Sequence, residues 1–259
     1  MGRAHVARGP PDAHDRQDAY PCSGRRPTMT RWNPISPTLY SFDERLEGTC
    51  IRRSLALVLP DGGTLVVSPN VLTPEAGHAS LAALGQPTIL AAPNQYHNAG
   101  LRPFSTRYPG ATCVSTPDAR TRLAKRTGLA FSDLAYLRER LPRHVEVLEP
   151  PGMRNGEFFL RVADPGGVTW VVGDAFFNYP VFPPGWFGWF LDWTKGGTGL
   201  AIGNSFLYIG LRERPAYVQW LLLQLAADNP TTLVPLHGEP LHSPDLPAAI
   251  ETIVRSRVK

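Results

Sequence analysis

At 259 residues, 42% hydrophobic and 19% charged, the chain can build one large domain or two small ones around a sizeable core. Its 27 prolines and 24 glycines demand many turns and short elements, which excludes a helical bundle. The formal net charge of +4 is small, with Arg3, Arg8, Arg16, Arg25 and Arg26 all in the first thirty residues; no basic run interleaved with aromatics marks a nucleic-acid surface.

Residues 1–28 lack an apolar stretch of signal-peptide length and read as a disordered leader, with Met29 as an alternative start and one domain over 29–259. No run of about 18 apolar residues occurs, so no membrane span is expected. Cys22, Cys50 and Cys113 are odd in number, far apart and without C-x-x-C spacing. They read as free thiols in a reducing, cytoplasmic compartment, Cys113 buried in a strand.

From Trp32 onward, short apolar runs alternate with helical segments. "RRSLALVLP" and "GTLVVSP" form a hairpin about Asp61-Gly62-Gly63. Thr73 should cap a helix that has Pro74 at its first position and stops at Gly85. "PTILAA" is a strand apolar on both faces. "NAGLRPFSTRY" is short helix or irregular, and "ATCVST" is a strand. Thr116-Pro117 repeats the cap ahead of a helix ending at Gly128, and "FSDLAYLRERLP" is a further amphipathic helix. "HVEVLEP", "EFFLRVA" and "VTWVVGD" are strands, the last two joined through Asp164-Pro165-Gly166-Gly167. After a long aromatic segment over 175–210 come the helix "RPAYVQWLLLQLAADNP", the strand "TTLVPLHG" and a closing helix "DLPAAIETIVRSR". This order implies a layered α/β fold with mixed sheets.

Three polar residues share one context. His97 follows "PTILAA" by a few residues, Asp174 follows "VTWVVG" and His237 follows "TTLVPL". The carboxyl ends of apolar strands are where α/β sheets place ligand sites. Two imidazoles and a carboxylate suit one divalent ion, zinc first and iron second, and three ligands with an open position suit water activation. Gly173 and Gly238 flank two of the three.

The layout resembles the metallo-β-lactamase-fold superfamily, an αββα sandwich of two mixed β-sheets flanked by helices. The residues that carry the likeness are "LPDGGTLVVSPN", "APNQYHNAG", "VVGD" and "PLHG", spread over 32–259. The long match "SPNVLTPEAGHASLAALGQPTILAAPNQYHNAGLRPFSTRYPGA" is most similar to a branch known only as a domain of unknown function. That branch has a P-N-x-x-H motif in place of H-x-H-x-D-H. The resemblance implies a metal-dependent hydrolase, and the departures weaken that implication. Ala92 and Asn94 stand where the first two histidines belong, Tyr96 where the aspartate belongs, and Met153 where a mid-fold histidine belongs. Ser68 stands in place of a supporting aspartate. One metal held by His97, Asp174 and His237 remains.

Within that site Asp174 would hold both metal and water. Asn94 would orient a water or a substrate carbonyl, or else satisfy backbone groups. Tyr96 would be a fourth ligand only if ionised, and otherwise a hydrogen-bonding or packing residue. His242 is a spare imidazole near Glu239 and Asp245, and His78 and His144 are assigned to solvent. The segment "DAFFNYPVFPPGWFGWFLDWTKGG" reads as a packed loop, as an apolar lid over the site, or as a patch for a membrane surface or second subunit. Two functions follow: a mononuclear metal-dependent hydrolase of an unknown small molecule, apolar if the aromatic segment is a lid, or a non-catalytic member of the fold that binds a ligand or partner. Redox chemistry at a single iron stands behind both.

Overall fold

The computed structural model describes residues 30–46 and 49–258. The leader, Met29 and Cys22 lie outside the described residues. A six-stranded sheet is built from β1 (Asn33–Pro34), β2 (Leu39–Leu46), β3 (Thr49–Val58), β4 (Thr64–Val67), β5 (Pro87–Ala91) and β6 (Thr112–Val114), side by side in that order. The first four run antiparallel, while β5 and β6 extend the sheet in parallel beyond β4. The β3–β4 hairpin turns at Asp61-Gly62-Gly63, where the Asp61 carboxylate accepts from the Gly63 N–H at 2.9 Å.

Parallel neighbours need crossovers, and these are α1 (Glu75–Ala82) between β4 and β5 and α2 (Leu101–Arg107) between β5 and β6. After β6 come α3 (Pro117–Thr127) and α4 (Leu134–Arg138). The second sheet contains β7 (Val145–Leu148), β8 (Phe159–Asp164), β9 (Gly167–Val172), β12 (Thr232–Pro235) and β13 (Leu241–His242), ordered 13-12-9-8-7, with β12 parallel to β9. Between β9 and β12 the chain forms β10 (Phe177–Tyr179), α5 (Trp186–Lys195), β11 (Gly199–Ala201), a π-helical turn (Phe206–Gly210) and α6 (Arg214–Asp228). The helix α7 (Leu246–Arg257) follows β13.

Burial sorts these elements into four layers. Leu55, Leu57, Leu65, Val67, Ile89 and Ala91 of the first sheet meet Val145, Leu160, Val162, Val171 and Val234 of the second in a dry inter-sheet core. The other face of the first sheet is covered by α1, α2 and α3 through Leu81, Leu101, Phe104, Ala119 and Leu123. The other face of the second is covered by α6 and α7 through Tyr217, Leu221, Ile250 and Val254. Because side chains alternate along each strand, a strand buried on both faces is largely apolar, as "PTILA" is apart from the half-buried Thr88. This is the expected αββα sandwich. Cys50 and Cys113 are buried free thiols, which burial pushes up to about 12 and about 11.

Several local expectations shift. Pro74, not Thr73, is the N-cap of α1; the Thr73 hydroxyl instead donates to the Asn70 carbonyl at 2.8 Å. Thr116 does cap α3, and Gly128 ends it in the left-handed conformation. The helix expected in "FSDLAYLRERLP" is only the five residues of α4, capped by Asp133 and closed before Pro142. The aromatic segment is no loop, since it folds into β10, α5 and β11. His78 and His144 are half-buried rather than solvated: His78 hydrogen-bonds Tyr108 Oη at 3.0 Å and His144 pairs with Thr38 Oγ1 at 3.2 Å. No helix among the described residues is long and apolar enough to cross a membrane.

Candidate metal centre

Among the described residues, His97, Asp174 and His237 form one cluster whose ligand atoms all lie within 4.8 Å of each other. Three separate chain segments deliver them. His97 lies in the turn after β5, Asp174 one residue past Gly173 at the end of β9, and His237 two residues past β12. Both later strands run parallel in the second sheet, which brings their carboxyl ends together. Two glycines permit the close approaches. A Cβ at Gly100 would lie 1.9 Å from the Pro69 carbonyl oxygen, so only glycine lets the His97 turn sit under the end of β4. Gly238 holds φ of +91° against the backbone of Asn178, which fixes the exit from His237.

The polar atoms around the cluster set its chemistry. His237 Nδ1 lies 2.6 Å from the Ile51 carbonyl oxygen. A carbonyl only accepts, so Nδ1 carries the proton and Nε2 turns a bare lone pair inward. That lone pair lies 3.4 Å from Asp174 Oδ1, and His97 Nε2 lies 3.5 Å from Asp174 Oδ2. His97 Nδ1 pairs with Ser68 Oγ at 2.7 Å. Ser68, with φ of +51°, therefore orients an imidazole and acts as the supporting residue where an aspartate was expected. All three side chains are nearly enclosed, at 5% exposure for His97, 17% for Asp174 and 16% for His237.

Burial, then the Lys195 charge, lowers the His237 imidazole to about 3 against the attraction of Asp174. At neutral pH it is the uncharged, ligand-ready form. Burial alone would raise the Asp174 carboxyl, but His97, Lys195 and His237 outweigh it and hold the acid far below the usual carboxylate range. A carboxylate oxygen and an imidazole lone pair thus face each other with no hydrogen between them. Such a pair of acceptors calls for a cation.

Sequence reasoning missed three supports. Glu157 is fully buried behind Asp174 and accepts from the N–H groups of Gly173, Asp174 and Ala175 at 2.9, 3.0 and 3.1 Å. Burial and the charge of Asp174 push its carboxyl up, while those hydrogen bonds pull it back. Arg53 is also fully buried. It forks onto both Asp43 oxygens at 2.8 and 2.9 Å and donates to the carbonyls of Pro235 and Gly238 at 2.6 and 2.9 Å. It therefore clamps the His237 loop to the first sheet. Lys195, the last residue of α5, lies 4.1 Å above the Phe177 ring, which in turn packs on His237 with centroids 5.9 Å apart. Burial lowers this amine, opposed by Asp174 and Glu157. Glu157 before "FFLRV" and Arg53 in "RRSLALV" share one signal, a charge bordering or entering an apolar strand.

The remaining expectations fall as follows. Asn94 is fully buried, with its amide donating to Asp174 Oδ2 at 2.8 Å and its oxygen accepting from the Tyr96 N–H at 2.8 Å. Tyr96 lies under the Arg122 guanidinium, 5.3 Å from the ring centroid. Ala92 and Met153 are packed into the two outer cores. His242 is remote, bonding Thr232 Oγ1 at 2.8 Å across β12 and β13. Glu239 pairs with Arg45 at 2.6 Å, and Asp245 stands at the N-cap position of α7 without a side-chain capping bond.

No family model and no curated protein matches the sequence. Solved structures do. A metallo-beta-lactamase from Pontibacter korlensis aligns with TM-score 0.56 at 10% identity, over 88% of this chain and 99% of its own. The DIM-1 metallo-beta-lactamase aligns with TM-score 0.57 at 9% identity, over 90% and 99%. A metallo-beta-lactamase from Erythrobacter litoralis aligns with TM-score 0.57 at 13% identity, over 87% and 96%. Two mixed sheets flanked by helices, and likeness along nearly the whole length of these proteins, give the chain the metallo-β-lactamase fold.

Proposed function

We propose that the protein is a metal-dependent hydrolase with a single-ion centre on His97, Asp174 and His237. The observation that carries this reading is the facing pair of acceptors, the His237 Nε2 lone pair and the Asp174 carboxylate, 3.4 Å apart in a nearly closed site. Bonds of about 2.0–2.1 Å at tetrahedral angles place ligand atoms about 3.3–3.4 Å apart, close to both spacings across Asp174. Imidazole and carboxylate donors suit zinc first and iron second. A bound divalent ion would supply Lewis acidity and lower the pKa of a water. The protein's part is to orient His97 through Ser68, to fix His237 in one tautomer through the Ile51 carbonyl, to hold the carboxylate through Asn94 and the Glu157-anchored loop, and to exclude bulk water. Asn94, fully engaged with Asp174 and Tyr96, then acts as a positioning residue, and Tyr96 as a packing residue under Arg122. Phe177, packed on His237 with ring centroids 5.9 Å apart, makes the surroundings of the site apolar and supports a small substrate with an apolar part. Two buried reduced thiols fit the cytoplasm. The PNxxH pattern supports membership of the uncharacterised branch of the superfamily, read with residues 29–259 as one domain.

A non-catalytic, ligand-binding role is the second reading, favoured by the packed Ala92 and Met153 where a second metal would need histidines. Elemental analysis with activity screening on model esters and lactams separates the two. One equivalent of zinc or iron, lost in His97→Ala and His237→Ala, with metal-dependent turnover of a model ester or lactam, supports hydrolysis. Bound metal without turnover supports the second reading, and no bound metal with full site occupancy by added zinc refused overturns the metal centre.

A further inference from the structure

We propose that the outer face of α5 docks the protein onto a phospholipid bilayer by inserting its aromatic side chains into the headgroup region. The inference stands apart from the hydrolase reading, because it concerns the opposite side of the helix. Successive positions of α5 place Trp186, Trp189, Phe190 and Trp193 along one stripe, at the i, i+3, i+4 and i+7 spacing. They are 68%, 70%, 36% and 58% exposed. The opposite side is buried, through Gly188, Leu191 and Thr194. An exposed stripe of four large aromatic side chains on a helix whose other side is already buried belongs against another apolar phase. No charged residue falls within the stripe, and Asp192 stands at its edge.

The helix is firmly held, so the stripe is a displayed surface. A Cβ at Gly188 would meet the Pro183 carbonyl oxygen at 1.5 Å. At the other end Asn204 Nδ2 donates to the Trp193 carbonyl at 2.6 Å, and Arg257 donates to the Gly196 carbonyl at 3.3 Å. Beyond that tie, Tyr208 is another exposed aromatic at 68%, with the Arg214 guanidinium 5.9 Å from its ring.

Three occupants can be weighed. The sequence ahead of Thr30 offers only Val6, Tyr20 and two methionines as large apolar side chains, too few to cover four aromatics. A second copy would need more area: aromatic side chains bury roughly 150–250 Å² each, so these exposed fractions amount to on the order of 500 Å². A stable protein interface takes about 800 Å² per partner. A bilayer needs no such minimum. Its headgroup region is where tryptophan concentrates, because the indole is apolar with one N–H donor. The composition of the stripe, three tryptophans and one phenylalanine with no leucine, isoleucine or valine, matches that region.

The test is vesicle flotation of the full chain with phosphatidylcholine vesicles, and with vesicles containing about a third phosphatidylglycerol. Wild-type protein is expected to float with both, with tryptophan emission moving to shorter wavelength. Trp189→Ala should lower the partition about tenfold, and the triple Trp186→Ala, Trp189→Ala, Trp193→Ala at least about a hundredfold. All three side chains are exposed, so circular-dichroism melting should report an intact fold in each variant. Wild type failing to float with either vesicle overturns the proposal, as does a triple variant that floats like wild type. A wild-type dimer that the triple variant abolishes, seen by sedimentation equilibrium without vesicle binding, assigns the face to a second copy and also overturns it.

Discussion

Replacing Glu157 by glutamine tests whether the loop carrying Asp174 is held by a buried carboxylate. Oε1 accepts from Gly173 and Ala175, and Oε2 accepts from Asp174 N at 3.0 Å, Asn155 Nδ2 at 3.2 Å and Asn94 Nδ2 at 3.3 Å. Five donors surround two oxygens, so this carboxyl is needed as the ionised acceptor despite the burial that pushes it up. A glutamine amide, whichever way it lies, turns an NH2 toward at least two of these donors. Each hydrogen bond to a charged group contributes about 1.5–3 kcal/mol, so two cost about 3–6 kcal/mol. Relief of the repulsion with Asp174 and of the buried charge returns part of this, leaving a net loss of about 2–4 kcal/mol. Urea unfolding of the metal-free variant at pH 7 should show a midpoint lower by about 1–2 M with unchanged slope. Metal affinity should fall about tenfold or more as the carboxylate loses its register. A midpoint within about 0.3 M of wild type would show that the carboxyl is protonated or its donors are satisfied elsewhere, and the reasoning fails.

Arg53→Met should cost about 3–5 kcal/mol, because it leaves the buried Asp43 carboxylate to the half-exposed Arg45 and takes the donors from the Pro235 and Gly238 carbonyls. Adding Asp43→Asn should recover part of that in denaturant unfolding, and no recovery would count against the pairing. Ser68→Ala should weaken metal binding about 10–100-fold while changing stability by only about 1 kcal/mol, as read by competition with a chromophoric chelator and by melting. In the metal-free protein the folded His237 imidazole titrates near 3, below its unfolded value. The unfolded chain therefore binds the extra proton between the two values, and stability falls as pH drops through that window. From pH 7 to pH 5 the loss from this group is about 2 kcal/mol. His237→Phe should flatten that slope, and an unchanged slope would place its origin in another group.

Much of the sandwich was legible because its strands are buried on both faces, which leaves continuous apolar runs such as "PTILA" and "TLVV" between turn residues. The cluster of His97, Asp174 and His237 was legible because each is a polar residue following such a run. Glu157, Arg53 and Lys195 were not, since their roles depend on which loop packs behind which. A lone charge near a strand looks the same whether it is solvated or clamps a neighbouring loop. The aromatic segment misled for the opposite reason. Its prolines and glycines read as loop, yet Pro183 and Gly185 only delimit α5, whose Gly188 seats on the Pro183 backbone. The cap of α1 moved by one residue because the Thr73 hydroxyl found a nearer acceptor in Asn70.

The clustered imidazoles and carboxylate come from positions 97, 174 and 237, so each pair is separated by dozens of residues and no two share a hairpin or helix. A denatured chain offers an ion only isolated side chains, with no local chelate to compete for it. On the proposed metal centre, ion occupancy would be linked almost wholly to the native state, and free ion at a hundred times its dissociation constant would add about 2.7 kcal/mol to unfolding. Trace-element supply would in this way set how long the protein survives heat or proteolysis, independently of any reaction it performs.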